Sequence, residues 1–307
     1  MTERRDLQAV IDEIVAKMEM ARNFGRAGNV EALAGEKNDR FGIALVTAGG
    51  KVFEAGEARE AFPLQSIAKV FALTMALEAC GDDVWKRVGR EPSGDPFSSI
   101  IDLERFKGVP RNPFINAGAL VTVDMVLARP KGHGGAANVR AFVAEKIGGG
   151  ARLELEKEIM SGDGETSGFN NRSLAYMAKH FENFRNDIEP VMKAYVEQCA
   201  IKVDCRQLAL AGRYLIGGSK AKPDARKLAR QINAMMLTCG QYDGAGDFAF
   251  RVGLPAKSGV GGGILAIVPG IASIAVWSPG LDDNGNSLLG TLALEQLSHD
   301  MGWSVFG

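Results

Sequence analysis

Ser66 and Lys69 stand three residues apart in AFPLQSIAKVFAL (61–73), where Ile67, Ala68, Val70, Phe71, Ala72 and Leu73 are all apolar. In a helix, positions three apart share a face, and Pro63 suits a helix that starts just after it. Ser66 could be only a helix cap, but a capping box wants Glu or Gln three residues on, not a cation. A cation there also meets the positive end of the helix dipole. Burying an ammonium is costly unless it is paired or loses its proton. Both features lower the lysine pKa, and a neutral lysine can take the proton of a serine hydroxyl one turn away. The chemistry expected is acyl transfer, with Ser66 as nucleophile and Lys69 as general base.

S-x-x-K alone is a weak signal, since it recurs at Ser219 to Lys222 in the polar stretch GGSKAKPD. KSGVGGG (257–263), just before a strand-like run, strengthens it. There Lys257 and Ser258 would present polar groups from a strand edge, and the glycines would let a substrate lie against the backbone. The stretch lacks the G-K-[ST] of a P-loop, and Ile264 occupies the last position of a would-be G-x-G-x-x-G. S-x-x-K followed by K-[ST]-G resembles the signature of serine β-lactamases and penicillin-binding proteins.

These residues need elements to carry them. Leu7, Val10, Ile11, Ile14, Val15 and Met18 recur at helical spacing. FGIALVTAGGKVFEAG (41–56) reads as a hairpin around its Gly-Gly turn, and 66–80 as a helix apolar almost all round, hence buried. The middle is mostly helical, with examples around Leu120 to Leu127, in NNRSLAYMAKHF and in DIEPVMKAYVEQCA. Strands return in DFAFRVGLPAK, GGILAIVPG and IASIAVWSP, and NSLLGTLALEQLSHDM closes the chain as a helix. The fold class expected is α+β. One antiparallel sheet flanked by helices is built from 1–80 and 232–307, a mostly helical domain from 81–231 is inserted, and the active site lies between them. The late strands follow one another through short turns, which favours antiparallel pairing.

A chain of 307 residues with 46% hydrophobic residues can bury a sizeable core. Its formal charge of -1 gives no electrostatic reason to expect nucleic acid or an anionic membrane as partner. None of the 4 cysteines sits in C-x-x-C, and only 3 histidines are present, so free thiols are expected rather than disulfides or zinc. The charged N-terminal stretch lacks a signal-peptide core and no apolar run reaches membrane-spanning length, so a cytoplasmic location is expected.

Several ordered blocks carry a more specific resemblance: FPLQSIAKVF, PRNPFINAGAL (110–120), CGQYDGAGDFA (239–249), KSGVGGGI and VWSPGLDDNGNSLLG (276–290). With these the chain resembles the serine-dependent glutaminases, which share the β-lactamase-like fold. The resemblance implies hydrolysis of L-glutamine to L-glutamate and ammonia without metal or organic cofactor. It places Ser66, Lys69, Tyr242 and Lys257 in catalysis and substrate contacts at Asn116, Asn171, Tyr195 and Tyr242. The backbone at Val260 would join that of Ser66 in binding the oxyanion. Tyr242 could relay a proton to the departing ammonia if Lys69 or Lys257 lowers its pKa. The substrate ammonium needs a carboxylate, and Glu165, with Asp163 as competitor, stands nearest the family position. Asn29 stands where the family usually has a tyrosine, which puts one lid contact in doubt. Relatives form dimers or tetramers, so a homo-oligomer is expected by analogy. The alternatives are a penicillin-recognising hydrolase, which the absence of S-D-N and of an export signal disfavours, a related amidase with altered amino-acid specificity, and a non-catalytic binding module.

Overall fold

The computed structural model describes residues 6–24, 40–94, 96, 98–129, 138–161, 165–218 and 221–307. Asn29, Asp163 and Ser219 lie outside them. In chain order, helix α1 (Leu7–Phe24) leads to strands β1 (Gly42–Thr47), β2 (Val52–Gly56) and the short β3 (Phe62–Pro63). Helices α2 (Ala68–Cys80), α3 (Val84–Arg87), α4 (Ile101–Arg105) and α5 (Asn116–Leu127) follow. Next come α6 (Val139–Ile147), α7 (Lys157–Ser161), α8 (Glu165–His180) and α9 (Ile188–Ala200). After the short β4 (Lys202–Val203) come α10 (Cys205–Gly212), α11 (Pro223–Cys239) and α12 (Ala245–Arg251). Strands β5 (Ala256–Ser258), β6 (Gly263–Val268) and β7 (Ala272–Trp277) precede α13 (Leu288–Met301).

Packing groups these elements into two compact units, residues 1–62 with 203–307, and 63–202. The breaks expected at 80 and 231 therefore fall earlier. The reason is that α2 packs on α5 and α6, whereas α10 packs on β1 and β7.

The first unit is built on an antiparallel sheet of order β2-β1-β7-β6-β5. The hairpin β1–β2 turns at Gly50, whose φ of 87° a residue with a Cβ rarely adopts. Thr47 and Lys51 close that turn, Thr47 N–H donating to Lys51 O at 2.9 Å. Strands β6 and β7 are buried along their whole length, because both faces of the sheet are covered. On one face Ile11 and Ile14 of α1 and Leu294 and Leu297 of α13 pack against Ile43, Ile264, Ile274 and Val276. On the other lies α10, where Gly212 fits because a Cβ would sit 2.7 Å from Leu265 Cδ1. DFAFRVGLPAK departs from the expected strand. Helix α12 takes up its first five residues, burying Ala245 and Phe248 three apart while Phe250 faces solvent, and strand begins only at Ala256.

The second unit is mostly helical. Its centre is α5, buried over Ala117 to Val126 and packed on α2, α8 and α9. A carboxylate in such a core needs full compensation. Asp124 has it, accepting from Arg87 Nη2 at 2.6 Å and from the backbone N–H groups of Arg185 and Asn186. Cys80, Cys199, Cys205 and Cys239 are free thiols. Among the described residues no helix is long and apolar enough to cross a membrane.

Candidate active site

Helix α2 is preceded by a 3-10 turn over Gln65–Ile67, so Ser66 lies in that turn and Lys69 one turn on, the second residue of α2. Neither helical start carries a side-chain cap, so the Ser66 hydroxyl is not spent as one. Gln65, immediately before it, is held at φ 48°. A non-glycine residue in that region costs about 1–3 kcal/mol, a strain that collects at functional sites.

Lys69 is fully buried, with 0% exposure. Its Nζ donates to Phe114 O at 3.0 Å and to Asn116 Oδ1 at 2.8 Å. The chain presents both acceptors through one local device. Asn112 Oδ1 accepts the N–H groups of Phe114 (2.9 Å) and Ile115 (3.1 Å), turning the segment into α5, whose first residue is Asn116. Gly118 permits that turn, because a Cβ there would fall 1.9 Å from Asn112 O.

Asn116 is fixed on every side. Its Oδ1 also accepts from Tyr195 Oη at 3.2 Å, and its Nδ2 donates to Asn171 Oδ1 of α8 at 3.1 Å. The lysine is donor-only, so Asn116 must turn its oxygen towards it. Three residues expected to touch substrate, Asn116, Asn171 and Tyr195, thus form one network that ends on Lys69. Asn171 shares α8 with Glu165, the first residue of that helix.

Desolvation pulls the Lys69 pKa down to about 8. The nearby Cys199 thiol would favour the charged lysine if it ionised, but burial pushes its own pKa up to about 11. The thiol is therefore neutral wherever Lys69 titrates. A neutral amine has two N–H groups and one lone pair. Phe114 O and Asn116 Oδ1 take the two N–H groups, which leaves the lone pair for another donor. Among the described residues no hydrogen bond joins Ser66 Oγ to Lys69 Nζ, and catalytic contacts of this kind often close only with substrate bound.

The other expected residues belong to the sheet-bearing unit and form a second cluster. Lys257, on β5, also has 0% exposure. Its Nζ donates to Ser258 O at 2.6 Å and lies 4.4 Å from the centroid of the Tyr242 ring. Tyr242, at φ 51°, opens a short 3-10 turn before α12. Gly240 lets the chain pass this close to β5, since a Cβ would lie 1.8 Å from Ala256 O. Val260 sits at 44% exposure in the turn between β5 and β6. That turn is closed by Gly259 N–H to Gly263 O and Gly262 N–H to Gly259 O, neither of which uses the Val260 amide.

Sequence reasoning missed the Phe114 carbonyl, which no side-chain type announces, and Cys199, which looked like any core thiol. Asn112 could have been found, since Asn-Pro favours a turn start.

A family model described as Glutaminase matches residues 25–306. A glutaminase of Mesorhizobium japonicum is 48% identical over 306 residues, covering 98% of this chain and 96% of that one. One of Rhizobium meliloti is 46% identical over 310 residues, covering 99% and 98%. Among solved structures, a probable glutaminase, ybaS, superposes with a TM-score of 0.83 at 31% identity, covering 98% of this chain and 99% of that one. A second is a covalent complex of the Bacillus subtilis glutaminase YbgJ with 5-oxo-L-norleucine, formed by reaction with 6-diazo-5-oxo-L-norleucine. It has a TM-score of 0.78 at 28% identity and covers 98% and 100%.

Proposed function

The chain belongs to the glutaminase family, with its β-lactamase-like fold, and on that premise we propose that it hydrolyses L-glutamine through an acyl-enzyme on Ser66. The observation that carries the mechanism is the buried Lys69 amine with two acceptors placed on it.

Ser66 Oγ attacks the side-chain carbonyl carbon of glutamine while Lys69 Nζ takes the hydroxyl proton. The oxyanion is met by the backbone N–H groups of Ser66 and Val260, each of order 3 kcal/mol in such sites. The C–N bond breaks as the nitrogen gains a proton, with Tyr242 relaying it and Lys257 beside the phenol ring, and ammonia leaves. Water then attacks the γ-glutamyl ester. Lys69 takes its proton and returns one to Ser66 Oγ, and glutamate departs. Asn171, Tyr195 and Asn116 orient the substrate's α-groups, with Glu165 the carboxylate for its ammonium. A cytoplasmic dimer or tetramer remains part of this proposal by analogy with relatives.

The covalent adduct of the Bacillus enzyme supports a nucleophilic route, because its reagent has the shape of glutamine with a diazoketone in place of the amide. Ser66→Ala is expected to abolish ammonia release from glutamine with the fold intact by circular dichroism. The same diazoketone should alkylate Ser66 with loss of N2, adding the mass of the reagent less that N2 to the peptide holding Ser66. Label on another residue, or turnover by the alanine variant, overturns the nucleophile assignment. Asparagine, one methylene shorter, is expected to be a poor substrate, since its amide falls short of Ser66 while its α-groups stay anchored. Equal ammonia release from the two amides rejects this account of the pocket.

A further inference from the structure

The segment between β7 and α13 supplies no group to the reaction above, yet it is tied to the residue beside Tyr242. Within it Asp282 Oδ1 accepts the N–H groups of Asn284 (2.9 Å) and Asn286 (2.8 Å). Asp282 N–H donates to Asn286 O at 2.8 Å, and Gly285 N–H to Asp282 O at 2.9 Å. The loop is thus closed on itself before it touches anything else. From this closed loop Asn286, at 4% exposure, donates Nδ2 to the carbonyl of Gln241 at 3.2 Å.

Gln241 directly precedes Tyr242, whose left-handed backbone would relax if the chain around it were loose. The opposite side of the same segment is held by β5, where Ser258 N–H donates to Gly240 O at 3.1 Å. Tyr242 therefore leaves a stretch of backbone fastened twice, once to the strand carrying Lys257 and once to Asn286. Gly285 completes the contact. A Cβ at that residue, with φ 86°, would fall 3.4 Å from Val260 Cγ1 and 3.9 Å from Tyr242 Cε2.

The residue type carries information. Asn286 Oδ1 has no hydrogen-bond partner among the described residues, so burying this amide costs desolvation that its oxygen does not recover. An apolar side chain would fill the space more cheaply, but could not donate to Gln241 O.

We propose that Asn286 is a positioning residue, which holds Tyr242 over Lys257 by clamping the Gln241 carbonyl. The inference rests on the reading of Tyr242 as a proton relay, and the test separates the two. Steady-state kinetics on glutamine are measured for the wild type, Asn286→Ala, Tyr242→Phe and the double variant, with a urea melt of each. Asn286→Ala should lower kcat about tenfold with little change in KM, and should lower it less than about twofold further in the Tyr242→Phe background. Asn286→Asp has the same size but sets a carboxylate oxygen against Gln241 O, so it should be slower than the alanine variant. Multiplicative losses in the double variant, or an aspartate variant as fast as wild type, overturn the clamp while leaving the relay standing. Full activity of Tyr242→Phe overturns the relay, and the clamp with it. A kcat loss that merely follows a shifted urea midpoint also overturns the clamp, because packing alone would then explain it.

Discussion

Lys69 and Lys257 are both fully buried amines, and the two regions that hold them surround the nitrogen with different partners. Lys69 sits among helices, where desolvation favours the uncharged amine and two oxygens fix its hydrogens. Lys257 lies on a strand over the face of Tyr242, a position that attracts a cation. Burial alone does not decide what a lysine does. The neighbours do: Phe114 O and Asn116 Oδ1 take the hydrogens of Lys69, while Lys257 meets Ser258 O and the face of the Tyr242 ring.

The largest test of that contrast is substitution of each by methionine. Lys69→Met should lower kcat by about 10⁴-fold or more, as loss of a base acting with its nucleophile does. Lys257→Met should cost about 10²-fold, the lower end for assisted proton transfer. Equal losses in ammonia release would erase the distinction.

A smaller effect sharpens the Lys69 side. With a pKa of about 8, about a tenth of Lys69 is neutral at pH 7. A base works only when deprotonated, so kcat/KM should climb as pH rises through about 8. Asn116→Asp places a carboxylate on the amine, favours its charged form and should move that limb upward, lowering the rate at pH 7 about tenfold. A limb that stays in place would show that Asn116 does not set the charge of Lys69.

The smallest signal is in stability. The native pKa of Lys69 lies below its ordinary 10.5, so the unfolded chain binds that proton more tightly. The resulting penalty, about 3 kcal/mol, is complete below pH 8 and fades as pH rises towards 10.5. Urea midpoints across that range should rise in the wild type relative to Lys69→Met, and parallel curves would contradict the burial argument.

Much of the sheet was legible because β-rich runs were punctuated by glycines, as in the β1–β2 hairpin and in β6 and β7. Helix α12 was not. Two phenylalanines separated by one residue imitate the period of a strand, and only packing showed that one of them is buried. The burial of Lys69 was legible because a cation interrupts an apolar run. The tie from Lys69 to Asn116 spans 47 positions, and no local pattern reports a contact of that range. The Asn286 clamp escaped for a similar reason, since its acceptor is a main-chain carbonyl and carries no residue signature.

The left-handed backbone at Gln65 has a consequence for how this chain can drift. Tolerance next to the nucleophile should follow torsion rather than side-chain chemistry, with glycine and asparagine admitted and valine and isoleucine refused. A swap that looks mild by polarity can then be the harsher one, because the gate before Ser66 is cut in the main chain.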